Sequence, residues 1–115
     1  MLSFHQTRKE YFNEILNLES GRILSDFWLE YETYGHFNGD NAIVICHALS
    51  GNCHAAGRYE GERKKGWWDD VIGANKAIDT NKYFVICVSI LGANGGILGG
   101  STNALSVEAS TGREY

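Results

Sequence analysis

The chain has 115 residues, with 10 Lys and Arg against 14 Asp and Glu. That is enough for one ordinary domain or part of a larger one, and the formal net charge of −4 argues against the basic face a nucleic-acid binder needs. No apolar run approaches the length of a bilayer span, the start MLSFHQTRKE is too polar for a secretory leader, and three cysteines without framework spacing fit reduced thiols. The expectation is a cytoplasmic protein with no nucleic-acid and no membrane partner.

In chain order, the first ten residues are mixed and polar. The following stretch, YFNEILNLESGRILSDFWLEYETYG, reads as a hairpin, because Ser20-Gly21 is a turn signal between two apolar segments. Phe27, Leu29, Tyr31 and Thr33 alternate with Trp28, Glu30 and Glu32. That period of two predicts a strand with one buried face and one partly wet face. Gly35, Asn38 and Gly39-Asp40 then break the chain.

Residues 42–49 and 83–91 are nearly continuous apolar runs of strand length, as expected for parallel strands covered on both faces. The stretch 50–82 between them is long enough for a crossover with a helix. Its best helical piece is GWWDDVIGANKAI, where Trp67, Trp68, Val71 and Ile72 share a face opposite Asp69 and Asp70. The predicted fold class is α/β, with an antiparallel start leading into a mostly parallel sheet. A doubly covered strand needs a neighbour on each side, and few strands are visible before the Gly- and Ser-rich stretch that runs toward Tyr115. The sheet therefore reads as unfinished.

Several chemistries compete for the remaining motifs. Cys46-His47 and Cys53-His54 offer sulfur and imidazole, but zinc pairs are usually two to four residues apart on a turn, and adjacent strand residues face opposite ways. No metal is expected, and Cys46 reads as a buried core thiol. LGANGGILGGST follows a strand, as phosphate loops do, yet Ser101 stands where a Walker loop needs lysine, and a flexible surface loop is the simpler reading. Ser101 in GGSTN lacks the strand that must lead into a nucleophile elbow, and Ser50 lacks the first flanking glycine. The basic cluster RYEGERKK carries two glutamates and reads as a solvated loop. The turn after the 42–49 run can aim backbone N–H groups into a cleft at the strand's carboxyl end, or it can be an ordinary strand exit.

The segments YETYG (31–35), NAIVICHALSGNCHAAG (41–57), GWWDDVIGANKAIDTNKYFVIC (66–87) and STG (110–112), in this order and spacing, resemble the homoserine O-acetyltransferase family. The resemblance runs from about residue 16 to the last residue. It implies the N-terminal part of an α/β-hydrolase fold, so that residues 1–115 form a single incomplete domain ending before the nucleophile elbow. The implied reaction moves an acetyl group from acetyl-CoA, a co-substrate rather than a bound cofactor, to the hydroxyl of L-homoserine in methionine biosynthesis. A serine carries the acetyl group, a histidine is the general base and an aspartate orients it.

On this resemblance the HALSG loop supplies a backbone oxyanion donor at Leu49, while His47, Ala48, Ser50 and Gly51 shape the loop. None of His5, His36, His47 or His54 matches the catalytic histidine, and the serine and aspartate have no counterpart in the chain. Substrate-binding residues stay unassigned. Ala74 and the proline-free stretch 92–109 depart from the family pattern, so no functional residue is carried onto that loop. The full-length protein is expected to be a homodimer. Alternatives are a serine hydrolase, a transferase with a succinyl donor or serine acceptor, and a noncatalytic truncated remnant.

Overall fold

The computed structural model describes residues 6–59, 61, 64–93 and 95–102. His5 and the STG motif at 110–112 lie outside the described residues. Strands β1 (Gln6–Asn17) and β2 (Ile23–Tyr34) form the predicted antiparallel hairpin. Its turn closes through Leu18 and Arg22 (2.8 Å) and through Gly21 N–H to Leu18 O (3.0 Å). Gly21 sits at φ +86°, a conformation that costs a side-chain-bearing residue dearly. Between the pairs Phe12–Phe27 and Ile15–Ser25 the register shifts, so Asn13 and Glu14 bulge opposite Asp26 (φ 54°).

The remaining strands are β3 (Ala42–Ile45), β4 (Ile72–Gly73), β5 (Ile78–Asp79) and β6 (Phe84–Val88). The main sheet has the order β1-β2-β6-β3. Strand β6 pairs antiparallel with β2 and parallel with β3, so the antiparallel start leads into the parallel pair expected of the two apolar runs. Among the described residues β3 is an edge strand, with Val44 67% exposed on it.

Three expectations need correction. The 66–78 piece is not a helix. Trp68 O accepts from both Val71 and Ile72, after which Ile72–Gly73 pairs in parallel with Ile78–Asp79. The amides of Gly66, Trp67 and Trp68 donate instead to the carbonyls of Gly57, His54 and Ala55. Gly66 permits that approach, since a Cβ there would lie 2.2 Å from Ala56 N. Local amphipathicity lost to a tertiary backbone pairing.

The 42–49 strand stops at Ile45, and strand parity turns Ile45 inward and Cys46 out, so Cys46 is exposed rather than a core thiol. The buried thiols are Cys53 and Cys87. Lastly, the buried face of β2 carries Glu30, Glu32 and Tyr34, whereas Phe27, Leu29, Tyr31 and Thr33 are only half-buried.

The apolar core lies where the sheet meets the β3–β6 connection. Tyr34, Ile45, Val85 and Cys87 from the sheet pack with Cys53, Ala55, Ala56 and Ile72 from the connection, and Ile43 and Ile78 flank them.

Candidate functional site

Because β3 and β6 are parallel neighbours, both chain exits leave the same end of the sheet. The exit from β3 is a tight turn in which Gly51 N–H donates to Ala48 O at 2.8 Å. Gly51 fits closely, since a Cβ there would lie 3.1 Å from that oxygen and 3.3 Å from His47 Cβ. Leu49, inside the turn, is 97% exposed, and among the described residues no hydrogen bond engages its N–H. Ser50 is also exposed. His47 lies under the turn, with Nδ1 2.7 Å from Ala48 O and Nε2 accepting from Ile90 N–H at 3.1 Å.

The exit from β6 is the Gly-rich loop, and over its described residues it is not a free surface loop. Its N–H groups cradle an anion, as those of a phosphate loop do, but the anion is the protein's own. Leu98 and Gly100 donate to the two Glu30 carboxylate oxygens at 2.9 and 2.8 Å. Gly96 lies against the same carboxylate, since a Cβ there would be 2.8 Å from Oε1. Ser101 is 7% exposed, its hydroxyl accepting from Glu30 N–H and donating to Ser89 O. That hydroxyl is fully employed as structure. Thr102 N–H donates to Trp28 O, and its side-chain Oγ1 accepts from Trp28 N–H.

The second buried carboxylate, Glu32, organises the loop that follows the β3 turn. It accepts from Thr7 Oγ1 (2.6 Å), Tyr34 O–H (2.6 Å) and His54 Nδ1–H (2.9 Å). Tyr59 meets Thr7 at the same place. The Tyr34 hydroxyl oxygen also accepts from Ala55 and Ala56, fixing the backbone that Gly66 packs upon. Burial, reinforced by the Glu32 charge, pushes the Tyr34 hydroxyl well above the usual phenol range. Burial likewise pushes Tyr59 up to about 12, against the opposing bond from Thr7.

Sulfur chemistry has little purchase inside. Burial raises the Cys53 and Cys87 thiols to about 12, and a thiol that keeps its proton is a poor nucleophile. His54 is committed to Glu32 and His47 to the turn, and among the described residues no cluster of three or more His, Cys, Asp or Glu could hold a metal ion. Asp69 binds Gly57 N–H at 2.7 Å and faces Lys76 and Lys65. Its burial works against ionisation, but those partners outweigh it and hold the carboxyl below its ordinary range. That pairing absorbs part of the basic cluster.

The residues brought together are thus Leu49, His47 and Gly51 at one exit, beside a Glu30-bound loop at the other. The roles of Glu30 and Glu32 went unread in the sequence. The available signal was two acids at i, i+2 on a strand whose opposite face is apolar, combined with a glycine-rich loop later in the chain.

No family model matches the chain. A homoserine O-acetyltransferase of Sulfurimonas autotrophica is 53% identical over 105 residues, covering 90% of this chain and 27% of that protein. A homoserine O-succinyltransferase of Hydrogenovibrio crunogenus is 49% identical over 110 residues, covering 94% and 28%. Among solved structures, homoserine O-acetyltransferase from Bacillus anthracis superposes with a TM-score of 0.82 at 37% identity, over 99% of this chain and 31% of that one. Esterase E22 superposes with a TM-score of 0.82 at 32% identity, over 96% and 31%. The chain spans about a quarter of the length of the curated relatives it matches. It is a relative of the homoserine O-acyltransferases along nearly its whole length, and its sheet is the N-terminal part of an α/β-hydrolase fold.

Proposed function

We propose that this chain forms the first strands of an acyltransferase domain that moves an acetyl group from acetyl-CoA to the hydroxyl of L-homoserine, with the Leu49 N–H as one oxyanion donor. A serine hydroxyl attacks the thioester carbonyl and gives its proton to a histidine. The carbonyl oxygen becomes an oxyanion held by backbone N–H groups, and its collapse expels the CoA thiol, which takes that proton. Homoserine then attacks the acyl-serine by the same route in reverse. The serine, histidine and aspartate match no residue here, so residues 1–115 are read as one incomplete domain whose sheet continues beyond the β3 edge. The protein is read as cytoplasmic and as a homodimer when full length.

The observation that carries this reading is the Leu49 amide, unengaged among the described residues and exposed at the carboxyl end of an edge strand. A donor of that kind stabilises a developing negative oxygen without reorganising, and losing one costs ~10²–10³ in rate. In the full-length protein that carries this segment, Leu49→Pro removes the N–H while Leu49→Ala keeps it. We expect homoserine-dependent CoA release to fall ~10²–10³-fold for the first and stay near wild type for the second. Leu49→Pro at full rate, in a variant whose fold is unchanged by circular dichroism, removes Leu49 from the mechanism.

The similarity to an esterase favours a second reading, a serine hydrolase of the same fold. Acyl release to water in place of homoserine selects it. The relative named as a succinyltransferase makes the donor a matter of pocket residues, and rates with acetyl-CoA against succinyl-CoA decide it.

A further inference from the structure

We propose that His47 is the positioning residue of the Leu49 turn, its imidazole fixed as the Nδ1–H tautomer and strutting the exit of β3 against the exit of β6. This rests on the reading of Leu49 as an oxyanion donor.

The hydrogen bonds assign the tautomer. The Ile90 N–H can only donate, so Nε2, 3.1 Å away, presents its lone pair. A neutral imidazole then carries its proton on Nδ1, which donates to Ala48 O at 2.7 Å. That same oxygen accepts the Gly51 N–H that closes the turn, so both its lone pairs are occupied. The opposite tautomer would set a lone pair against the Ala48 oxygen and a hydrogen against the Ile90 hydrogen, so both bonds form together or fail together.

The consequence is directional. The carbonyl of Ala48 belongs to the peptide unit whose nitrogen is Leu49 N. Holding that oxygen from two sides fixes the plane of the unit, and with it the direction of the Leu49 N–H. The strut reaches across to Ile90, in the segment that leads into the Glu30-bound loop, so the turn takes its orientation from the sheet and not from its own four residues. His47 touches no reacting atom in this account. It acts through the amide.

The test uses the full-length protein with three variants and three readouts. Imidazole 15N spectra should show His47 protonated at Nδ1 and bare at Nε2. His47→Leu keeps bulk and loses both bonds; we expect kcat to fall ~10–100-fold with KM nearly unchanged, because a misaimed donor weakens the transition state more than the bound substrate. His47→Gln can still accept from Ile90 and should recover part of that loss, whereas His47→Ala should not. Amide exchange at Gly51 should quicken in His47→Leu.

An Nε2–H tautomer in the wild type, or His47→Leu with wild-type kcat, overturns the proposal. If the wild type transfers no acyl group to homoserine, the functional reading fails separately. The tautomer and the Gly51 exchange rate then still decide whether the strut exists.

Discussion

Two loops leave neighbouring parallel strands at the same end of one sheet, both with glycine at a close approach, and they use their backbone amides in opposite ways. After β6, the N–H groups of Leu98 and Gly100 are consumed by the Glu30 carboxylate, and those of Gly92, Ala93 and Ser101 by carbonyls of the same stretch. After β3, the turn closes on one bond and the Leu49 N–H is engaged by none of the described groups. Glycine content therefore says only that the backbone can approach something closely. Whether the amides remain available to a ligand depends on whether the fold supplies an internal acceptor.

The largest effect should come from removing that acceptor. Glu30→Ala strands the buried Gly100 amide and the part-buried Leu98 amide, and a buried unsatisfied donor costs ~1–3 kcal/mol, so urea unfolding should register a loss of about 2 kcal/mol, with faster exchange at Leu98 and Gly100. If those two amides exchange as fast as Leu49 in the wild type, the contrast between the loops is void. A smaller effect is expected at Gly96, where φ is +76° and a Cβ would press on the carboxylate. Gly96→Ala should cost about 1–2 kcal/mol by the same unfolding measurement, against almost nothing for an exposed-loop alanine at Leu49.

The thiols sharpen the comparison with little effect at neutral pH. Cys46 stands exposed at the β3 exit, while Cys87 lies buried within β6 and Cys53 in the core. Iodoacetamide at pH 8 followed by mass spectrometry should find one labelled site, Cys46. Burial raises the inner thiols from 9.0 to about 12, so between those values the unfolded chain releases protons that the folded chain keeps. Stability should therefore fall as pH rises from 9 to 12, and Cys53→Ala with Cys87→Ala should flatten that slope.

Legibility in the sequence followed the range of the interaction. The Ser20-Gly21 hairpin was readable because a left-handed glycine between two apolar segments is a local signal. The pairing of the two apolar runs was readable because continuous hydrophobicity marks strands of a parallel sheet, although among the described residues the outer face of β3 is open, with Val44 67% exposed. Their parity was not, for the same reason: a continuous run carries no alternation to say that Ile45 faces in and Cys46 out. The Trp67–Ile72 piece has the spacing of a helix, but its amides pair with residues 54–57, an alternative that no local period encodes.

The hairpin, the parallel pair and the likeness to a family of acyltransferases follow from the order of residues alone, since turn chemistry, hydrophobic continuity and motif order are written along the chain. That two glutamates are buried, that one Gly-rich loop is closed on a carboxylate, and that His47 spans two strand exits emerged with the folded arrangement. The physical reason is that a buried charge or an open amide is defined by its partner, and here those partners lie tens of residues away.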